Sequence, residues 1–265
     1  MIKGQIVKGN LAFLRYDRSS MSEGVFLEGM ISVTAALQAG NRPIRAIYMR
    51  QGRWDRRWQQ LQRTAESHHV PVHFVTDDFL QAKVSGNSHG GIIAEVEGRH
   101  FVAMGELVRG RERPFVVMLD GLEDPFNFGQ AIRALYAAGV DGLVVRPRNW
   151  LSAAGIVTRA SAGASEWMPT AMAESAGAAA AFYRQQGLQI ACTTQAEATS
   201  LYEADLTGPI FLLIGGERRG ITRSFLEAAE LRLQIPYGRP FSHSLGAAAS
   251  AAIVAFEVMR QRRSE

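Results

Sequence analysis

Phe115-Val116-Val117-Met118-Leu119-Asp120-Gly121-Leu122-Glu123-Asp124-Pro125-Phe126-Asn127-Phe128-Gly129-Gln130-Ala131-Ile132-Arg133 is the stretch that decides the fold. Its first five residues are apolar without alternation, as in a strand buried on both faces. A polar loop containing Gly121 and Pro125 follows, and from Gly129 to Ala138 the spacing turns helical. Outward from this unit the alternation continues. A strand at Gly142 to Val145 precedes helices at Ala153 to Ala162 and Glu174 to Gln186, then strands at Leu188 to Thr193 and Ile210 to Ile214. A helix at Arg223 to Ala229, a strand at Leu231 to Ile235 and a helix at Ser244 to Arg262 complete it. Strands separated by helices need crossover connections, so residues 114–265 are expected to form an α/β domain around a mainly parallel sheet. Ligands on such sheets lie beyond the carboxyl ends of the strands, which directs attention to the loops after Leu119, Thr193, Ile214 and Ile235.

Upstream, residues 1–105 read as a smaller α/β unit. Its expected elements are a helix at Met30 to Ala39, a strand at Ile44 to Tyr48, a basic helix at Trp54 to Ser67, a strand at Val72 to Val75, a short helix near Asp78 to Val84 and a strand at Gly91 to Val96. Glycines and the charged run RGRERP between Glu97 and Pro114 mark the expected linker.

Charge separates the two units. Lys3, Lys8 and Lys83 are the only lysines among 29 basic residues, so the cationic surface is arginine. The net charge of +4 resolves into +5 before Pro114 and −1 after it. The excess is densest where Arg42, Arg45, Arg50, Arg53, Arg56, Arg57 and Arg63 face one acid, Asp55, with Tyr48, Trp54 and Trp58 interleaved. Guanidinium groups pair phosphates and exposed aromatics stack unpaired bases, so Arg42, Arg45, Arg53, Arg56 and Arg57 are candidate RNA contacts. The competing reading is a solvated helix face with its tryptophans in the core.

Other function classes lose support. With 47% hydrophobic and 20% charged residues the chain is globular, and the single cysteine, Cys192, precludes an internal disulfide framework or a cysteine-rich zinc site. The start, MIKGQIVKGN, lacks an apolar core, and the longest apolar stretch stops at Glu257, so no export signal or membrane span is expected and the location is read as cytoplasmic. P-loop, zincin and dinucleotide-binding motifs do not occur. Gly86-Asn87-Ser88-His89-Gly90 matches a hydrolase nucleophile elbow, but a helical pattern precedes it and a strand follows, the reverse of what an elbow needs.

Three loops carry the remaining signal. Asn127 stands where a helix N-cap belongs, with Arg133 on the first turns beyond it; capping and a surface ion pair are the plain alternatives. Gly215-Gly216-Glu217-Arg218-Arg219-Gly220 leaves a buried strand through glycines that let backbone amides approach a ligand, or simply turn the chain. Ile235-Pro236 leads through His243 to Ser244-Leu245-Gly246 and an alanine-rich helix suited to a ligand, a dimer or close sheet packing.

At these places the sequence resembles the SpoU (TrmH) family of SPOUT-class RNA methyltransferases. Asn127 to Arg133 fits Asn-x-Gly-x-x-x-Arg, Gly215 to Gly220 fits Gly-x-Glu-x-x-Gly, and Ile235-Pro236 with Ser244-Leu245 fits the third motif, all in order over about 150 residues. The first unit resembles the ribosomal-protein-L30e-like RNA-binding domain common in the family. The resemblance implies a C-terminal parallel-sheet SPOUT domain with a trefoil knot, a rare exception to unknotted topology, and a homodimer joined through it. It implies transfer of a methyl group from S-adenosylmethionine to a ribose 2′-hydroxyl of structured RNA, rRNA favoured over tRNA, with no metal. By position, Thr193, Gly215, Ile235 and Leu245 would line the cofactor pocket, and Asn127, Arg133, Glu217 and Ser244 would serve the reaction. Because a guanidinium keeps its proton at neutral pH, Arg133 is read as gripping a phosphate and stabilising oxyanion charge rather than as a base. The pattern departs at Gly246, where the family has Asn. Either another residue such as His243 supplies that role, or the chain is a weak or inactive RNA-binding or ribosome-assembly protein that keeps the fold.

Overall fold

The computed structural model describes residues 25–52, 55–84, 89–147, 153–195, 197–216 and 220–263. Arg53, Trp54, Ser88 and Glu217 lie outside the described residues.

The described residues open with β1 (Val25–Glu28), α1 (Gly29–Ala39), β2 (Ile44–Arg50), α2 (Arg56–Ser67), β3 (Val72–Val75), α3 (Asp77–Lys83) and β4 (Ile92–Val96). These strands form a sheet in the order β1-β4-β2-β3, antiparallel except for the β2–β3 pair. Helix α2 shows how sequence makes the element. Asp55 caps it by accepting from the N–H groups of Arg57 (2.9 Å) and Trp58 (3.2 Å), and Trp58, Leu61 and Ala65 form one buried stripe. Trp58 is therefore core, 2% exposed and packed over Gly91, rather than a base-stacking platform. Arg56, Arg57 and Arg63 occupy the exposed face.

The second half comprises β5 (Phe115–Asp120), α4 (Pro125–Ala137), β6 (Gly142–Val145), α5 (Ala154–Ala160), α6 (Ala164–Trp167), β7 (Thr170–Met172), α7 (Ala176–Gln185), β8 (Gln189–Thr193), β9 (Thr199–Ser200), β10 (Ile210–Gly215), α8 (Arg223–Ala228), β11 (Leu231–Gln234) and α9 (Ala247–Arg263). Its seven strands pair in parallel in the order β7-β6-β5-β10-β8-β11-β9. The unbroken apolar runs find their reason here. Phe115, Val117 and Leu119 join Ile210, Leu212 and Ile214 under α4 and α9, while Val116, Met118, Phe211 and Leu213 point to the other face under α7. Tyr183 of α7 stacks on Phe211 at 4.9 Å.

Some boundaries differ from expectation. Helix α4 starts at Pro125, four residues early, because Asp124 rather than Asn127 is the cap: its carboxylate accepts from the Asn127 N–H at 2.7 Å. Helix α9 starts at Ala247, leaving Ser244 and Leu245 in the loop before it. The segment read as linker is packed structure. Val102 N–H donates to the Thr170 carbonyl at 3.0 Å, and Leu107 in the 3₁₀ turn Met104–Leu107 is buried against Gly142. Among the described residues no helix is long and apolar enough to cross a membrane.

Candidate active site

The strand ends locate the site. In-register pairing of β5 with β10 sets Asp120 opposite Gly215, so the loops after these strands leave the sheet at one height. Gly216 N–H donates to the Asp120 carbonyl at 2.7 Å, and a Cβ on Gly216 would collide with the Gly121 carbonyl. The loop then folds back, Gly220 N–H donating to Gly216 O at 3.0 Å, and a Cβ on Gly215 would stand 2.8 Å from the Gly220 carbonyl carbon. Glycine at both positions is a steric requirement.

Beside this turn lies a cleft of about 670 Å³, counting its open mouth, that opens at the carboxyl ends of β8, β10 and β11. Thr193 ends β8 and Gln195 follows it, Ile214 and Gly215 end β10 with Gly216 next, Ile235 and Tyr237 lie beyond β11, and Ser244 and Leu245 lie on the approach to α9. A hydrogen-bonded clasp closes one side: the Tyr237 hydroxyl accepts from Gln195 Nε2 at 2.8 Å and from the Leu245 N–H at 3.0 Å. None of the described lining residues carries a charge. Asp120, at the end of β5, is held by Arg146 at 2.8 Å. Cys192, behind Thr193, is buried, which pushes its thiol up to about 11.

The structure thus brings together Thr193 at the end of β8, Gly215 of the second motif, and Ile235, Ser244 and Leu245 of the third. It does not bring Asn127 or Arg133 to the cleft wall. Asn127 is half-buried on the first turn of α4, and Arg133 lies two turns further along, exposed and without a hydrogen bond or ion pair among the described residues. Gln195 and Tyr237 were missed by sequence reasoning. Their only signal was membership of post-strand loops, and their partnership spans 42 residues.

The basic residues divide sharply. Arg56 and Arg57 are exposed at the start of α2, and Arg45 is exposed but bound to Glu97 at 3.2 Å. Arg42 contradicts its assignment as an RNA contact. It is 6% exposed and forms a bidentate pair with Glu166, so its charge is spent inside the protein.

The family model described as SpoU rRNA Methylase family matches residues 114–256, and that described as RNA 2′-O ribose methyltransferase substrate binding matches residues 26–102. The 23S rRNA (guanosine-2′-O-)-methyltransferase RlmB of Shewanella oneidensis is 30% identical over 239 residues, covering 89% of this chain and 97% of the relative. The Escherichia coli K12 protein of the same name is 28% identical, covering 91% and 100%. Among solved structures, one titled RNA 2′-O ribose methyltransferase superposes with TM-score 0.72 at 25% identity, covering 90% of this chain and 88% of that one. AviRb from Streptomyces viridochromogenes, a SpoU methyltransferase crystallised with AdoMet, shares the fold with TM-score 0.76 at 23% identity over 94% of each chain. With its ordered loop motifs, parallel sheet and strand-end cleft, this chain belongs to the SpoU rRNA methylase family.

Proposed function

We propose that the chain is an S-adenosylmethionine-dependent methyltransferase that methylates a ribose 2′-hydroxyl in ribosomal RNA. The observation that carries this reading is the convergence of Thr193, Gly215, Ile235, Ser244 and Leu245 on one cleft at the carboxyl edge of the large sheet. The cleft suits the cofactor. Ile214, Ile235 and Leu245 offer apolar walls to an adenine, glycine backbone and hydroxyls offer hydrogen bonds to a ribose, and the described lining residues place no cation against a sulfonium. When bound, the cofactor supplies the electrophilic methyl group.

The chain's own residues then have positional tasks. Ser244 and the Gln195–Tyr237–Leu245 clasp shape the cofactor side, and Asn127 orients the target ribose. Glu217 belongs to the same site by motif. Arg133, permanently protonated, grips the phosphate beside the target and stabilises negative charge developing on the 2′-oxygen. Alignment of hydroxyl and methyl for in-line displacement supplies much of the acceleration. Arg133 stands outside the cleft of its own chain, which favours a homodimer in which a second copy completes each site. Residues up to about 105, with Arg45, Arg53, Arg56 and Arg57, form the RNA-gripping unit, residues 114–265 form the knotted catalytic domain, and the cytoplasm is the place of action.

The test incubates purified protein and tritiated S-adenosylmethionine with rRNA and tRNA from cells lacking the gene. Label recovered as a 2′-O-methylnucleoside in rRNA is the expected result. RNA binding without label in either RNA overturns it in favour of the non-catalytic reading that Gly246 raises.

A further inference from the structure

Arg42 and Glu166 come from different sheets' surroundings, 124 residues apart, and meet where both are sealed from water. Nε donates to Oε2 at 2.7 Å and Nη2 to Oε1 at 2.9 Å, with side chains 4% and 1% exposed. Thr158 of α5 donates its hydroxyl to Glu166 Oε1 at 3.0 Å. Two neighbours of Arg42 cross the same seam: Asn41 Nδ2 donates to the Glu166 carbonyl at 2.6 Å, and Arg99 Nη2 to the Met168 carbonyl at 2.8 Å.

Near this network the backbones of the two units approach closely at two glycines. A Cβ on Gly155 of α5 would stand 2.9 Å from the Phe26 carbonyl oxygen, and one on Gly163 would stand 2.5 Å from Ala35 Cβ, so α5–α6 is pressed onto the small unit. On its other side, a Cβ on Gly129 of α4 would stand 2.6 Å from Ala160 Cβ and 2.7 Å from the Val157 carbonyl oxygen. The α5–α6 segment is wedged between the small unit and the helix that bears Asn127 and Arg133. A buried ion pair adds little net stability over apolar packing, whereas a two-point guanidinium–carboxylate fork fixes direction as well as distance.

We infer that Arg42 and Glu166 are positioning residues: through α5–α6 their fork holds the RNA-gripping unit at a fixed orientation on α4, and so sets where the target ribose falls relative to Arg133. This rests on the methyltransferase reading above. Neither residue touches RNA or cofactor, yet a misplacement of about 1 Å can lower the rate about a hundredfold.

The test uses the full chain with spin labels at Gln60→Cys in α2 and Gln185→Cys in α7, both exposed, while buried Cys192 stays unlabelled; labelled chain is diluted in excess unlabelled chain so that only distances within one chain are read. Pulsed electron–electron resonance gives the distance between the units, methyl transfer to 23S rRNA gives kcat/KM, and calorimetry gives S-adenosylmethionine affinity. The paired substitution Arg42→Met with Glu166→Met removes both charges while retaining bulk, so folding is preserved. The expected result is one narrow distance for the unmodified seam, a broadened distribution for the paired variant, and a kcat/KM on RNA lower by about tenfold to a hundredfold at unchanged cofactor affinity. Arg42→Lys, which keeps the charge and loses the fork, should fall between. A paired variant with unaltered distances and unaltered kcat/KM overturns the inference, as do equal losses of cofactor affinity and RNA turnover. If the wild-type chain transfers no methyl group, the methyltransferase reading fails, and the distances alone then decide whether the fork fixes the orientation.

Discussion

The two sheets are built into the molecule by different means. In the large one, β5 and β10 are sealed in hydrocarbon on both faces, from Phe115 to Leu119 and from Ile210 to Ile214. In the small one, β3 leaves His73 and Phe74 exposed, and the unit meets its neighbour through the polar network of Arg42 and Glu166 together with small apolar contacts such as Ala154 and Ala35. A parallel sheet buried on both faces offers function only at its strand ends, where loops are free to vary. A partly open, mainly antiparallel sheet offers outer surface, suited to gripping a large polyanion. Chemistry and RNA grip should therefore separate under mutation.

The largest expected effect is Arg133→Ala. It should lower methyl transfer about a hundredfold to a thousandfold while cofactor affinity by calorimetry stays nearly unchanged. Wild-type turnover in this variant would break the comparison by moving the reaction off the large unit. Gly216→Ala comes next. Its Cβ would meet the Gly121 carbonyl, and about 3 kcal/mol of stability should be lost in urea titrations. Gly90→Ala in the small unit meets open space and bears only the left-handed backbone penalty, about 1 kcal/mol. Equal losses at the two glycines would remove the contrast in packing.

The third prediction concerns pH. Burial raises the Cys192 thiol from 9.0 to about 11 in the folded chain. A raised folded value means that the stabilisation is complete below pH 9 and is lost as pH climbs toward 11. The loss should be about 2 to 3 kcal/mol. Cys192→Ala should flatten that alkaline slope in denaturation curves measured across the window; an unchanged slope would assign it elsewhere. The smallest effect is on RNA grip. Arg56→Ala with Arg57→Ala should weaken rRNA binding about tenfold and lower the salt dependence by about one to two ion equivalents, leaving cofactor affinity untouched. A matching loss of cofactor affinity would show that the surfaces are not separate.

Much of the architecture was legible because it follows from local pattern. A five-residue unbroken apolar run such as Ile210 to Ile214, bounded by Gly208-Pro209 and Gly215-Gly216, is too short for a buried helix and fits a buried strand, and the glycine pair marks a turn. What stayed hidden depends on distant partners. β7 and β9 are too short to show a period and exist because β6 and β11 lie beside them. Arg42 sits in a basic run and reads as surface charge, since nothing near it announces Glu166. Trp58 could be placed, because Leu61 and Ala65 lie on its helical stripe. The true cap of α4 was also readable, as Asp124 followed by Pro125 is a strong helix-start signature. The Gln195–Tyr237–Leu245 clasp joins three loops and has no local mark.

The weld between Gly121 and Gly216 has a thermodynamic consequence. One of these loops borders the cleft and the other leads into the helix of Asn127 and Arg133, and neither can shift without the other. A shift of one loop on occupation of the cleft would reach the other through this contact and so couple cofactor to RNA. Whatever factor the cofactor imposes on RNA affinity, RNA must impose on cofactor affinity, and the order in which the two substrates are added becomes a readout of a contact between two glycines.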